Sequence, residues 1–238
     1  MAEVGARAPV LLVTGTDTGV GKTWVSVGLL KALGRAGVRA RGLKAVASGA
    51  EPTPEGLRHE DALALMAAAS APTLPYAAIN PYCYAPPIAP HLAAEAAGRP
   101  VDPAILEAAV EHARRDCELL LVEGAGGWRV PLAAGYGFRE LARAVGADVL
   151  LVIGLRLGCI NHARLSAEAI QRDGLNLRGW IGNTIEPAMP ARPGNLATLQ
   201  ALLSAPCLGV LPAGPDDAAF DALAATLCAD LDPARARR

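Results

Sequence analysis

The chain has 238 residues, with 22 Lys and Arg against 23 Asp and Glu and a formal net charge of −1. That length suits one substantial α/β domain better than two, and that charge supplies no global field to draw the chain to nucleic acid or an anionic membrane. Hydrophobic residues make up 52% but aromatic ones only 4%, so Ala, Val, Leu and Ile must build the core, as they do in a parallel sheet under Ala-rich helices. Residues 1–9 lack a long apolar stretch, and no segment offers the roughly 18 apolar residues of a membrane span. Five cysteines (Cys83, Cys117, Cys159, Cys207, Cys228) lie scattered without CxxC spacing, so a cytoplasmic chain with reduced thiols is expected. The end Arg235-Ala236-Arg237-Arg238 reads as a solvated tail, and residues 1–9 and 233–238 as flexible termini.

In chain order, the apolar run at residues 10–14 predicts a strand that ends in a glycine-rich loop. A helix is expected from Lys22 to about Gly37, with Val25, Val27, Leu29, Leu30 and Leu33 as its apolar positions. The next strand is expected over residues 39–46, and an Ala/Leu/Met helix over 61–69. Residues 71–90 are rich in Pro and Tyr without clear periodicity, a long excursion of the kind that is often functional. Residues 118–122 form a predicted buried strand followed at once by Glu123-Gly124-Ala125-Gly126-Gly127. A strand at 149–153 ends at Gly154, and a helix follows from about Ile160 to Arg172. Strands at 178–182 and 207–211 lead into Asn183 and Pro212. Alternation of apolar strands with helices predicts one P-loop α/β domain over 1–238, with a mostly parallel β-sheet flanked by helices on both faces. Polar and glycine residues repeatedly follow the strand ends, where open α/β sheets bind ligands.

The chemistry begins at Gly15-Thr16-Asp17-Thr18-Gly19-Val20-Gly21-Lys22-Thr23. Glycines let the backbone curl so that several N–H groups face one phosphate, and a helix N-terminus adds partial positive charge. Lys22 can reach the outer phosphates of ATP, and the Thr23 hydroxyl can ligate Mg²⁺. Gly15 and Gly21 are separated by five residues instead of the usual four, with Thr16 in the place of the first glycine. The bland alternative is a glycine-rich turn with a solvated Lys22, but a turn does not require the Lys-Thr pair. Two carboxylates are candidates for the metal. Asp61 reads equally as a helix N-cap. Glu123 follows four apolar residues and is flanked by glycine, which leaves it few structural reasons to be there. Lys44 follows a short strand, and on its own it reads as a solvated surface lysine.

Six segments then coincide. The loop 15–23, Lys44-Ala45-Val46-Ala47-Ser48-Gly49, Asp61-Ala62-Leu63, Asn80-Pro81-Tyr82, Val122-Glu123-Gly124-Ala125-Gly126-Gly127-Trp128 and Leu157-Gly158-Cys159-Ile160-Asn161-His162 resemble the dethiobiotin synthetase family. The likeness runs from about residue 10 to 215, in the family's order. It implies ATP-dependent closure of a ureido ring: one amine of 7,8-diaminopelargonic acid takes up CO₂ as a carbamate, ATP phosphorylates it, and the second amine displaces phosphate to give dethiobiotin and ADP. Carried over by position, Lys22 and Lys44 flank the carbamate and γ-phosphate. Ser48 and Thr16 contact substrate, and Thr23, Asp61 and Glu123 hold Mg²⁺. The nucleotide falls to Thr18, Gly19, Val20, Gly21, Lys22, Thr23, Trp24, Asp61, Glu123, Gly124, Ala125 and Gly126, with Asn183, Thr184, Pro212, Ala213 and Gly214 on the adenine side. Gly158, Cys159 and Asn161 would receive the substrate carboxylate of the neighbouring subunit across a homodimer interface. Cys159 reads as turn packing, because nothing in this chemistry needs a thiolate, and His162 as a helix-terminal hydrogen-bonder.

The chain departs from the family at three places. Ala45 stands where a proline usually biases the preceding lysine towards extended backbone, Thr184 where Asp is common, and Arg156 where Lys is familiar. Among rivals, a partition or septum-site ATPase would carry a lysine in the place of Asp17 and often a basic amphipathic C-terminal helix, whereas segment 216–232 is acidic. A cobyric-acid-type amidotransferase needs a glutaminase half for which this chain has no room. A non-catalytic nucleotide-binding module would bind ATP without forming product.

Overall fold

The computed structural model describes residues 7–214 and 216–231; the Arg-rich end, residues 1–6 and residues 233–238 named above lie outside them. In chain order the elements are β1 (Val10–Gly15), α1 (Lys22–Arg35), β2 (Ala40–Lys44), β3 (Val46–Ser48), β4 (Glu51–Thr53), β5 (Gly56–Arg58), α2 (Glu60–Ala68), α3 (Tyr76–Ile79), β6 (Tyr82–Tyr84), α4 (Pro90–Ala96) and α5 (Pro103–Ala113). There follow β7 (Leu119–Gly127), β8 (Pro131–Ala133), β9 (Tyr136–Gly137), α6 (Phe138–Val145), β10 (Asp148–Gly154), α7 (Cys159–Arg172), β11 (Leu177–Asn183), α8 (Arg192–Leu202), β12 (Cys207–Leu211) and α9 (Asp217–Leu231).

Six strands form one parallel sheet in the order β12-β11-β10-β1-β7-β2. Both faces are covered, which is why the central strands read as unbroken apolar runs. Alternation along β1 sends Leu11 and Val13 towards one layer and Val10 and Leu12 towards the other. The first pair packs with Leu29 and Leu33 of α1, Leu65 of α2 and Phe220 of α9. The second packs with Leu106 of α5, Phe138 of α6, Ile170 of α7 and Leu199 of α8. Gly28 brings α9 onto α1: a methyl group built there would stand 2.1 Å from the Phe220 ring. The chain moves from β1 to β2 on one side and later returns to place β10 on the other. The crevice at the C-terminal end of β1 is therefore a topological switch point, where such sheets bind ligands.

Several sequence expectations shift by a residue or two, and three differ in kind. The strand expected over 39–46 is two strands: β2 joins the main sheet, whereas β3 pairs with β6 in a separate two-stranded sheet. A continuous apolar stretch cannot show where a chain leaves one sheet for another. The strand expected to end at residue 122 continues to Gly127, with an irregularity in its pairing between Val13 and Gly15 that lets the glycines follow the turn of the loop. The N-cap of α2 is His59, whose side chain accepts a hydrogen bond from the Asp61 amide, so Asp61 is not the cap. None of the five cysteines is joined in a disulfide. Among the described residues no helix is long and apolar enough to cross a membrane.

Candidate active site

The loop after β1 ends with Gly19 at φ 76° and Gly21 at φ 87°, left-handed backbone that glycine adopts without strain. Gly21 caps α1 without a side chain, which leaves the first amides of the helix facing outwards. Asn183, at the end of β11, packs on the same bare Cα. A methyl group at Gly21 would lie 2.2 Å from Asn183 Nδ2 and 3.9 Å from Trp24 Cβ. Asn183 Nδ2 donates to the Val20 carbonyl at 2.9 Å. Trp24 is 53% exposed on the first turn of α1, its ring edge-on to Phe220.

Register explains the centre of the site. Lys44, the last residue of β2, pairs directly with Glu123 of β7, so their side chains leave the sheet side by side. Lys44 Nζ donates to Glu123 Oε1 at 2.6 Å and to Asp61 Oδ2 at 2.7 Å. Thr23 Oγ1 donates to the same Glu123 oxygen at 2.7 Å. Lys44 and Glu123 are both buried, and the second Glu123 oxygen has no hydrogen-bond partner among the described residues. Burial by itself would lower the Lys44 pKa, but Glu123 and Asp61 outweigh it and hold the ammonium above its ordinary value. For Asp61 burial pushes upward, and Lys44 wins and holds the carboxyl below the usual range. Lys22 has the opposite balance. Burial, then the nearby Lys44 charge, bring it down to about 8 against partial support from Glu123, Asp61 and Asp17. Its Nζ donates to the Asp17 carbonyl at 3.0 Å, back onto the loop itself.

Lys22, Lys44 and Asp61 face a cavity of about 710 Å³, whose walls also include Thr18, Gly19 and Ser48. Gly21, Thr23, Ala125 and Gly126 line it too, as do Pro87 to Pro90 from the end of the 71–90 excursion. Thr16, Val20, Trp24, Glu123, Gly124, Asn183, Thr184 and Pro212 to Gly214 do not line it. Val20, Glu123, Asn183 and Thr184 are buried around the loop, whereas Pro212, Ala213 and Gly214 are exposed. Gly158, Cys159 and Asn161 also stay outside this cavity. Gly158 is left-handed at φ 92° and opens α7 without a side-chain cap. Cys159 is buried, Asn161 is exposed, and Leu157 beside them is 85% exposed. Arg156 Nη2 meets Asp17 Oδ2 at 2.6 Å and ties this turn to the phosphate-type loop. The Thr18 amide, opposed by some burial, and then Arg156 hold Asp17 below its ordinary pKa.

The reading of Lys44 as a solvated surface lysine is corrected: its side chain is 6% exposed and paired with two carboxylates. A signal was available, since the chain has three lysines among 22 basic residues and two of them meet here. Asn80 was singled out only by resemblance. It is buried, and its Nδ2 donates to the Lys44 carbonyl at 2.8 Å and the Tyr82 carbonyl at 3.0 Å. That clamp fixes the backbone beside Ala45, where a proline is absent.

The donor set also bears on a metal. Among the described residues no cluster of three or more His, Cys, Asp or Glu side chains is placed to hold one. Two carboxylates, one of them with an unpartnered buried oxygen, and a hydroxyl remain. That set fits Mg²⁺, which takes few protein carboxylates together with phosphate oxygens and water.

A family profile described as an AAA domain matches residues 10–218. The ATP-dependent dethiobiotin synthetase BioD of Pseudomonas aeruginosa strain UCBPP-PA14 is 53% identical over 205 residues, 86% of this chain and 90% of the relative. The enzyme of the same name from Chromohalobacter salexigens is 53% identical over 209 residues, 84% of this chain and 88% of the relative. Among solved structures, the Aquifex aeolicus MinD cell division protein aligns with a TM-score of 0.58 at 16% identity, covering 93% of this chain and 97% of that one. The Pyrococcus furiosus cell division ATPase MinD gives 0.58 at 17% identity, covering 92% and 98%. At such identities the structural likeness reports the fold alone.

Proposed function

The chain belongs to the dethiobiotin synthetase family, and from that premise we propose how its own residues carry the reaction. The activity is ATP-dependent formation of dethiobiotin, a ligase reaction on small molecules. The observation that carries the residue assignment is the convergence of two buried lysines, Lys22 and Lys44, on one cavity beside the glycine loop.

A carbamate is built when one amine of 7,8-diaminopelargonic acid attacks CO₂ and loses a proton. Its oxygen is a poor leaving group until it is phosphorylated. The carbamate oxygen attacks the γ-phosphorus of ATP, the bond to ADP breaks, and a carbamic-phosphoric anhydride results. The second amine then attacks the carbamoyl carbon, phosphate departs with that oxygen, and the lost proton leaves the ring nitrogen. Each step moves negative charge without needing a protein nucleophile, so positioning and charge stabilisation carry the work. Lys22 follows the outer phosphates, and Lys44 holds the carbamate and the oxygen that comes to bridge carbon and phosphorus. Ser48, at the cavity wall, orients the carbamate or its amine, and Thr16 lies on the substrate side. The amides of Thr18 to Thr23 cradle phosphate, and those of Gly124 to Gly126 close the opposite edge. Thr23, Asp61 and Glu123 hold Mg²⁺, which when bound neutralises charge on the phosphate oxygens.

Asn183 and Thr184, the loop Pro212–Gly214 and the exposed Trp24 frame the base. Gly158, Cys159 and Asn161 serve the carboxylate of a neighbouring subunit's substrate, in a homodimer. The support is an uncapped helix start outside this chain's own cavity, beside a Leu157 side chain that is 85% exposed and suited to cover by a second copy. The described residues share one main sheet, which supports a single domain over 1–238. Near-neutral net charge and five cysteines outside any disulfide suit a cytoplasmic enzyme without nucleic-acid or membrane partners. The septum-site alternative has only fold likeness behind it, and Asp17 and the acidic α9 count against it. ATP turnover measured with and without diaminopelargonic acid plus bicarbonate decides between them. Strong stimulation with dethiobiotin as product is expected, and ATP turnover indifferent to that pair would overturn the assignment.

A further inference from the structure

Lys44 is gripped at both ends by one closed ring of hydrogen bonds, and the ring passes through Tyr76. Starting at the backbone, the Lys44 carbonyl accepts from Asn80 Nδ2 at 2.8 Å. Asn80 Oδ1 accepts from the Tyr76 hydroxyl at 2.9 Å. That hydroxyl in turn accepts from the His59 amide at 2.8 Å. His59 Nδ1 accepts from the Asp61 amide at 3.1 Å, and Asp61 Oδ2 accepts from Lys44 Nζ at 2.7 Å. Since Nδ1 is an acceptor, Nε2 carries the proton, and it faces the Ser48 carbonyl at 3.2 Å. The ring therefore reaches three groups of the site: Lys44, Asp61 and Ser48.

We propose that Tyr76 is a positioning residue that sets the Lys44 ammonium for phosphoryl transfer, acting through Asn80 on its backbone and through His59 and Asp61 on its side chain. The single hydroxyl proton of Tyr76 goes to Asn80, so Cys83 Sγ at 3.4 Å donates to the phenol oxygen. Burial, together with the Cys83 contact and against the His59 amide, holds the phenol well above its ordinary pKa, so it stays a donor across the working range. Arg58 lies over the ring at 4.3 Å and fixes its plane. The segment 71–90 thus serves the site from behind, through α3, as well as lining it at Pro87–Pro90. Opening the ring is costly, because each released group is left unpaired in a part-buried place.

The proposal rests on the assignment of Lys44 above. Its test is a double-mutant cycle in steady-state kinetics with Tyr76→Phe and Lys44→Gln. Tyr76→Phe is expected to lower kcat about ten- to hundredfold, the scale of a small misplacement of a reacting group, with the KM for ATP changed less than about twofold. In the Lys44→Gln background the same change should have little further effect. Tyr136→Phe, which loses a hydroxyl contact to Glu107, should leave kcat as it was. His59→Asn, with an oxygen able to cap α2, should stay closer to wild type than His59→Ala, which supplies a second reading should Tyr76→Phe not fold. A folded Tyr76→Phe enzyme with wild-type kcat, or one that loses the same factor with and without Lys44, overturns the inference. Full turnover in Lys44→Gln alone would instead overturn the assignment of Lys44.

Discussion

Replacing Lys44 by Gln removes the cation between two carboxylates. Glu123 is fully buried, and the Asp61 side chain is 23% exposed. Breaking a buried pair from one side costs about 3–5 kcal/mol, because the remaining charge stays where water cannot reach it. The Gln amide can return about 1 kcal/mol as a neutral hydrogen bond, so a net loss of about 2–4 kcal/mol is expected in the ligand-free protein. Urea denaturation at neutral pH measures it, with Lys31→Gln on the exposed face of α1 as the reference, which should stay within about 0.5 kcal/mol of wild type. Adding Glu123→Gln to Lys44→Gln should recover part of the loss, since the pair is then removed from both sides. Turnover should fall by about 10²–10³, the scale for losing one preorganised charge in a transition state, with ATP binding largely retained. If Lys44→Gln unfolds with Lys31→Gln, or the Glu123 substitution recovers nothing, the buried triad does not exist as described.

Gly21→Ala meets both a left-handed φ of 87° and Asn183 Nδ2 at 2.2 Å; a loss of about 1–3 kcal/mol and weaker ATP binding should appear in thermal melts and calorimetry, and neither would appear if Asn183 moved freely. Lys22, brought down to about 8, should regain its proton beside bound phosphate, so ATP affinity falls as pH rises through about 8 and binding there takes up a proton. Calorimetry in buffers of different ionisation heat reads that uptake, and its absence refutes the burial of this charge. The same shift has a sign for stability: the unfolded chain holds more protons than the ligand-free fold between about 8 and 10.5, so this group's contribution to stability rises with pH across that window. Mixed Lys44→Gln and Asn161→Ala subunits should regain activity towards about a quarter of wild type, because half the dimers then hold one intact shared site. No recovery would place Asn161 in its own subunit's site.

Most of the sheet was legible because its strands are buried on both faces and read as apolar runs ending in glycine or polar residues. Cys207–Leu211, the half-buried edge strand, was delimited correctly because its apolar run stops at Pro212. Short elements held by tertiary contacts were not legible. α3 spans four residues, and β3 and β6 three each, too few for any period to emerge. The turn from Gly15 to Thr23 could be read locally because its glycines and the helix start that follows lie within one short segment. Asp61 and Glu123 could be paired only as candidates for one metal, and Lys44 could not be joined to them without resemblance. Their meeting depends on the register of β2 against β7 and on where α2 docks, and neither is written in the residues nearby. Asn80 and Tyr76 show the same limit more sharply, since nothing in their own segment indicates that both serve a lysine more than thirty residues earlier.

Transfer of a labelled oxygen tests the central claim most directly, that the group phosphorylated beside Lys44 and Lys22 is a carbamate. With diaminopelargonic acid, ATP and ¹⁸O-labelled bicarbonate, one oxygen of the carbamate should leave with the phosphate, so mass spectrometry of the released phosphate should find one ¹⁸O for each dethiobiotin formed. Unlabelled phosphate accompanying dethiobiotin would mean that the carbamate oxygen was never phosphorylated, and the roles given to both lysines would fall with it.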